Sequence, residues 1–400
     1  MAGLIVTPGD NSQERNSAFS LYLHIPYCQS KCPYCDFNSH AAAQWPEDDY
    51  VRALTAELER RADESPWAGR RLKTIFFGGG TPSLFRPESI ARVLDAAARR
   101  FGLERDAEVT LEANPGTVDL AKLRGMRAAG VNRVSYGAQS FNDERLQFLG
   151  RIHTAAETRE AARMARRAGF DRFNLDLIFA VPGQVIEETL NDIGEAAALG
   201  PDHISAYNLT FEEGTAFFTE MKRGRIRPLD GDRQAEFYAA VRAELPRYGY
   251  PMYEISNYAP PGHEARHNLT YWRMESYLGL GAGAHSFARD ERGGGGRRWW
   301  NERMPVRYMA LALEDGFAQA GDESIDALRA RGEFVFLNLR LREGFSLAGF
   351  ARRFDEGFDS AFGERAARLF DGELLVRNDD RIHLSERGLE LADSVFAEFV

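Results

Sequence analysis

From residue 21 to about residue 250 the chain alternates short apolar runs with amphipathic stretches, and nothing else in it constrains the fold as tightly. The runs 21–25, 72–77, 108–113, 133–139, 173–181 and 203–209 have the length and the β-branched and aromatic content of strands. Between them come helix signals. Tyr50, Val51, Leu54 and Leu58 recur at helical spacing behind Asp48 and Asp49, which suit a helix N-terminus. Pro87 opens a helix carrying Ile90, Val93 and Leu94 on one face, and Thr117 can cap the helix after the third strand. Thr154 and Glu157 form a capping box for a helix that runs to Gly169, and residues 186–199 are amphipathic. Strand followed by helix, about six times over, predicts a parallel sheet with helices outside it. Six units are fewer than the eight of a closed barrel, so the expected class is α/β with an open, partial (β/α)6 barrel.

All three cysteines stand together in the loop after the first strand, as Cys28-x3-Cys32-x2-Cys35, with Tyr34 directly before the third. Thiolates are natural ligands of iron–sulfur clusters, and three of them on a four-iron cubane leave one iron open to a small molecule. A zinc knuckle would need a fourth ligand, which His24 or His40 could supply, although a three-residue spacer is an unusual zinc turn. A disulfide framework fits badly, because the count is odd and no secretory signal precedes it.

In parallel barrels the functional residues sit where strands end. Gly78-Gly79-Gly80-Thr81-Pro82 follows the second run directly, and backbone without side chains can approach a ligand and offer its N–H groups. Glu112 ends the third run, Gln139 the fourth, Asp176 lies in the fifth, and Arg151 stands just before the Thr154 cap. Each alone is compatible with a structural hydrogen bond or a tight turn. On successive strand ends of a chain that also carries the cysteine loop, they describe a cofactor crevice.

The cysteine loop resembles the cluster loop of the radical S-adenosylmethionine (SAM) superfamily. The segments 21–39, Phe77-Gly-Gly-Gly-Thr-Pro-Ser83, Glu112-Ala-Asn-Pro-Gly116, Val134-Ser-Tyr-Gly-Ala-Gln-Ser-Phe141, Leu149-Gly-Arg-Ile-His153 and Asn174-Leu-Asp-Leu-Ile-Phe-Ala-Val-Pro-Gly-Gln184 resemble one family within it. That family holds the oxygen-independent coproporphyrinogen III oxidases and the HemW-type heme chaperones. The resemblance implies a [4Fe–4S] cluster on Cys28, Cys32 and Cys35. It also implies SAM contacts from Tyr22, Gly79, Gly80, Thr81, Glu112, Gln139, Arg151 and Asp176. One departure is Phe179-Ala180-Val181, where the family usually has a glycine before Leu-Pro-Gly. Two features separate the branches. The oxidases resemble C-x3-C-x2-C-x-C and carry a longer N-terminal arm, whereas here Phe37 occupies the fourth cysteine position and about twenty residues precede the cluster strand. His267-Asn-Leu-Thr-Tyr-Trp272 resembles the H-N-x-x-Y-W signature of the chaperone branch. That likeness makes His267 the candidate axial ligand of heme, with Tyr271 and Trp272 near the porphyrin. The implied function is binding heme and passing it to an acceptor protein, with a flavodoxin or ferredoxin as electron donor. The alternatives are the oxidase, which decarboxylates propionate side chains by radical chemistry, and a zinc-stabilised binding module.

After residue 253 the alternation stops. Residues 277–287 are glycine-rich and apolar, suited to a close-packed strand or loop, and 293–300 suggest a flexible hairpin tip. Helices are expected at 304–313, 325–341, 347–354 and 360–370, then a hairpin with strands 374–376 and 382–384 and a final helix to Val400. This order predicts an α+β, winged-helix-like module. The expected divisions are a flexible tail at 1–19, a core at 20–250 and a C-terminal region at 251–400. Hydrophobic residues at 44% permit a large core, while a net charge of −10 argues against nucleic acid as a partner. No run of about 18 apolar residues exists, so any membrane contact would be peripheral. The tail lacks the basic start and long apolar stretch of a signal peptide, so a cytoplasmic, reduced-thiol protein is expected.

Overall fold

The computed structural model describes residues 18–290 and 293–400. Of the expected tail, residues 1–17 lie outside these limits, while Ala18 and Phe19 already belong to the first strand. Strand β1 (Ala18–Ile25) feeds the cysteine loop, which is stapled by two-residue strands β2 (Tyr27–Cys28) and β3 (His40–Ala41) running parallel. The remaining barrel strands are β4 (Arg71–Gly79), β5 (Leu103–Ala113), β6 (Arg133–Gln139), β7 (Arg172–Phe179) and β8 (His203–Asn208). They pair in parallel in the order β1-β4-β5-β6-β7-β8, which is the open six-stranded arrangement expected.

The local signals act as anticipated. Pro87 starts the helix Pro87–Phe101, whose Ile90, Val93 and Leu94 are buried against the sheet. Thr154 and Glu157 close a capping box on the helix Ala155–Arg167, a device that contributes about 1 kcal/mol. Leu21, Leu23, Ile75, Phe77 and Leu111 fill the core between sheet and helices. Each such burial contributes roughly 1.5–3 kcal/mol.

The sheet does not stop with the barrel. Short strands β9 (Met252–Glu254) and β10 (Asn257–Tyr258) cover the free edge of β8. On the opposite edge β11 (Tyr277–Leu280) lies parallel to β1, and β12 (His285–Arg289), β13 (Gly296–Asn301) and β14 (Gln319–Ile325) continue antiparallel, giving a twelve-stranded sheet. The division at residue 250 therefore marks the end of the strand–helix alternation and not the end of the sheet. The Arg297–Trp300 stretch is strand and not a flexible tip. Trp299 is buried there and Arg61 stacks on it, 5.5 Å from the ring centroid.

The C-terminal module has its own core, built on Phe334, Phe345, Phe350, Phe354, Phe358 and Phe362. Helices Ala327–Leu339, Leu347–Phe354 and Phe358–Asp371 surround a small sheet of β15 (Phe345–Ser346), β16 (Leu375–Asn378) and β17 (Arg381–Leu384), with β17 central. This is the winged-helix-like arrangement. The single closing helix expected is two, Glu386–Glu390 and Ala392–Ala397, parted at Leu391.

Candidate cofactor site

The cysteine loop is pinned from three sides and braced from within by Lys31. Gly80 N and Thr81 N donate to the carbonyls of Ile25 and Tyr27 at 2.8 Å each, zipping the glycine turn to the loop entrance. Lys31 Nζ donates to the carbonyls of Phe37 and Ser39, and Asn38 Nδ2 donates to those of Ala282 and Arg303. On the far side Phe217 N donates to the Pro33 carbonyl at 2.9 Å. The glycine run is shaped by this packing before any ligand arrives. A Cβ on Gly79 (φ +110°) would fall 2.4 Å from His24 Cε1, and one on Gly80 would fall 2.6 Å from the Tyr27 carbonyl oxygen.

Cys28, Cys32 and Cys35 all open onto one cavity of about 150 Å³ at the C-terminal ends of the strands. Each sulfur has its own polar neighbour, two from other segments of the chain and one from the loop itself. Thr81 Oγ1 donates to Cys28 Sγ at 3.4 Å, Arg151 Nη1 donates to Cys32 Sγ at 3.3 Å, and Ser39 Oγ lies 3.8 Å from Cys35 Sγ. Burial pushes the Cys28 and Cys35 thiols up, and a bound cation would reverse that by favouring the thiolates. Three thiols around one cavity, each with a polar neighbour, fit a polynuclear cluster held on three sides.

Seven of the eight residues marked out as SAM contacts line the same cavity. Gly79, Gly80 and Thr81 form one wall, and Glu112, Gln139, Arg151 and Asp176 the others. Sheet register explains the grouping, since Glu112 pairs with Ser135, Ser135 with Asn174, and Asp176 with Ser205 on neighbouring parallel strands. Gly79 N donates to Glu112 Oε2 at 3.1 Å. Burial, and then the nearby Asp176 carboxylate, push the Glu112 carboxyl up to about 8. Asp176 is also raised by burial, though it accepts from Asn174 Nδ2 at 2.8 Å. Two acids in a confined site suit a cationic ligand. Gln139 ends β6 with φ +67°, a left-handed conformation that costs about 1 kcal/mol for a residue with a side chain. Tyr22 stands apart. Its hydroxyl contacts His24 Nδ1 at 2.9 Å, and its ring faces a neighbouring cavity behind Gly79 and Glu112. At the departure from the family pattern, Ala180 adopts φ +59°, which a glycine would occupy without strain.

Asn114 was not singled out from the sequence. Its Nδ2 donates to Thr81 Oγ1 at 3.1 Å and its Oδ1 accepts from Arg151 Nη2, so it ties two partners of the thiols together. The only signal for it was its place two residues beyond Glu112, just past the end of β5. A larger chamber of about 600 Å³ adjoins the thiol cavity inside the barrel, and Arg340 and Asp393 of the C-terminal module close one side of it.

His267 is placed differently from its expected role. It is buried on the short helix Arg266–Trp272, with Nδ1 2.7 Å from Thr74 Oγ1 and Nε2 2.8 Å from the Tyr271 hydroxyl. Its ring stacks on Phe76 at 5.0 Å, and burial holds its pKa down at about 3. Both nitrogens are engaged inside the core, so iron ligation by this imidazole would require breaking its contact with Thr74 or with Tyr271. Trp272 does not pack on it either; Arg340 lies over the Trp272 ring at 4.3 Å.

Comparison with known proteins agrees with this architecture. Residues 22–195 match the radical SAM superfamily and residues 326–391 the HemN C-terminal domain. The solved structure of coproporphyrinogen III oxidase (HemN) from Escherichia coli superposes with a TM-score of 0.82 at 24% identity, covering 98% of this chain and 93% of that one. This establishes the fold. Heme chaperone HemW of Bacillus subtilis is 35% identical, covering 95% of this chain and 99% of its own. Heme chaperone HemW of Mycobacterium tuberculosis is 38% identical over 99% and 96%. That of Escherichia coli is 46% identical over 66% and 69%. By this near full-length similarity and the radical SAM core it encloses, the chain belongs to the HemW-type family of the radical SAM superfamily.

Proposed function

We propose that the protein is a heme chaperone that binds heme and hands it to an acceptor protein. The observation that carries this is end-to-end similarity to proteins named as heme chaperones, extending through the C-terminal module. Phe37 at the fourth cysteine position of the oxidases supports it. Phe37 is 60% exposed and borders the thiol cavity, so an apolar surface stands there in place of the oxidases' fourth thiol.

The residues around the thiols fit a [4Fe–4S] cluster on Cys28, Cys32 and Cys35 with SAM beside it. When bound, the pair supplies one-electron reducing chemistry, for which a flavodoxin- or ferredoxin-class donor is the partner. The chain's own part is to hold and shield. Thr81 and Arg151 donate to ligand sulfurs, the backbone of Gly79 and Gly80 allows close approach, and Glu112 and Asp176 offer carboxylates to a cationic ligand. Among the described residues no helix is long and apolar enough to cross a membrane. We place the protein in the cytoplasm, with peripheral membrane contact where the acceptor is membrane-bound.

The test is anaerobic incubation of reconstituted protein with coproporphyrinogen III, SAM and a low-potential reductant. No protoporphyrinogen should form, while the same preparation binds heme one to one. Robust SAM-dependent product formation would replace the chaperone with the oxidase.

A further inference from the structure

The chain has eight histidines, and they differ in what their ring nitrogens can still do. His24, His203 and His267 are buried with both nitrogens hydrogen-bonded. His153 is buried, with Nε2 3.1 Å from the Ala138 carbonyl. His383 contacts its neighbour's carbonyl and Asn378. His40 Nε2 is buried, and His263 turns Nδ1 towards Asp202 at 3.5 Å; neither residue lines the aromatic cavity described below. His285 is exposed and lines that cavity, and neither of its ring nitrogens has a hydrogen-bond partner among the described residues.

Its surroundings suit a flat aromatic ligand. The ring lies 5.9 Å from that of Trp300, its cross-strand partner, at an interplanar angle of 28°. It borders a cavity of about 370 Å³ whose walls include Tyr22, Phe37, Tyr271 and Tyr277. That volume falls in the usual range for small-molecule sites. Tyr271 and Tyr277 meet edge to face at 4.7 Å, a rigid aromatic corner. The exposed Phe37 ring borders this cavity and the thiol cavity alike, so a ligand here would lie beside the cluster loop. A cation is also at hand. Arg303 is exposed at the rim: its carbonyl accepts from Asn38 Nδ2 at 2.9 Å, Asn38 lines the cavity, and Arg303 has no carboxylate partner among the described residues. Arg298, by contrast, is already paired with Glu323 and Glu333. The signature histidine acts on the same site indirectly, because His267 Nε2 holds the Tyr271 hydroxyl and so fixes one wall.

We propose that heme binds in this cavity with His285 as its axial ligand, its porphyrin face against Phe37, Tyr271 and Tyr277, and a propionate on Arg303. This rests on the heme-carrying function proposed above and replaces His267 as the iron ligand. Partial desolvation against the strand surface, and then the charges of Arg298 and Arg303, hold the His285 pKa below its ordinary value, which favours the neutral imidazole that can ligate.

The experiment is heme titration of the full-length protein, read by the Soret band and by ferric low-spin signals in electron paramagnetic resonance. Wild type should show a histidine-ligated spectrum. His285→Ala should lose that signature and bind at least tenfold more weakly, and added imidazole should restore the signature. Arg303→Gln should weaken binding severalfold with the ligand signature intact, and His263→Ala should match wild type. Circular dichroism and cluster content report folding; an exposed imidazole should be dispensable for both. Unchanged spectrum and affinity in His285→Ala, with wild type binding normally, overturn this site and leave the chaperone function standing. Absence of heme binding by wild type overturns both.

Discussion

The guanidinium of Arg151 donates to Cys32 Sγ at 3.3 Å while its other nitrogen donates to the Gly137 carbonyl at 3.0 Å, so one side chain joins the cluster loop to the end of β6. A positive hydrogen-bond donor at a ligand sulfur stabilises the reduced, more negative form of a cluster. Arg151→Met should therefore lower the midpoint potential of the reconstituted cluster by tens of millivolts while leaving iron content near wild type. An unchanged potential in a redox titration followed by electron paramagnetic resonance would show that the contact has no electronic consequence.

Removing a ligand has a different signature. Cys32→Ala should fail to retain a full [4Fe–4S] cluster after anaerobic reconstitution, since two thiolates under-hold a cubane. The fold should survive, because the loop lies at the rim of a core in which Cys32 takes no part. Stable, stoichiometric iron and sulfide in this variant would show that the ligand set is wrong.

Glu112 offers a cleaner probe of the SAM crevice than the glycines do. A side chain on Gly79 would strike His24 before it met any cofactor, so Gly79→Val disturbs the loop itself. Glu112→Gln keeps the shape and removes a charged acceptor, and it should weaken SAM binding by about tenfold, or about 1.4 kcal/mol, without loss of cluster. Calorimetric titration of reconstituted protein reads this directly.

The same residue predicts a pH dependence. With its carboxyl pushed up to about 8 in the free protein, Glu112 carries a proton at neutral pH that a cationic ligand must displace. SAM affinity should rise between pH 6.5 and 8, with proton release visible as a buffer-dependent binding enthalpy. Without ligand, the folded state binds this proton more tightly than the unfolded chain does. The group's contribution to stability therefore falls as pH rises from the ordinary carboxylate range through 8.

Buried histidines act in the opposite direction. His24 and His153 are held down at about 4 and His267 at about 3, each chiefly by burial. Below pH 6.5 the unfolded chain binds protons that the folded chain refuses. Stability should then fall with pH by up to about 1.4 kcal/mol per unit for each histidine, until its folded pKa is reached. Replacing His267 by Gln should flatten that slope between pH 6 and 4 in urea unfolding.

The barrel was legible because each strand and helix announces itself locally, through apolar runs, Pro87 and the Thr154–Glu157 cap. The strand ends were legible for the same reason, since parallel topology delivers Glu112, Gln139 and Asp176 to one face. What stayed hidden depends on distant pairing. Strand β14 looks polar and ambiguous as sequence, and only the edge of β13 makes it a strand. His267 stands in a signature that suggests a ligand, yet Thr74, 193 residues away, takes its second nitrogen. His285 sits in an unremarkable glycine-rich stretch, and its exposure beside Trp300 exists only once β12 and β13 have paired.

The measurement that bears most directly on the chaperone function is the fate of heme on the reconstituted protein. The full-length chain, titrated with heme, should bind one equivalent and then give it up to an excess of an apo-heme protein, with cluster and SAM unconsumed. Binding without stoichiometry and without release, or conversion of coproporphyrinogen in its place, would contradict the account.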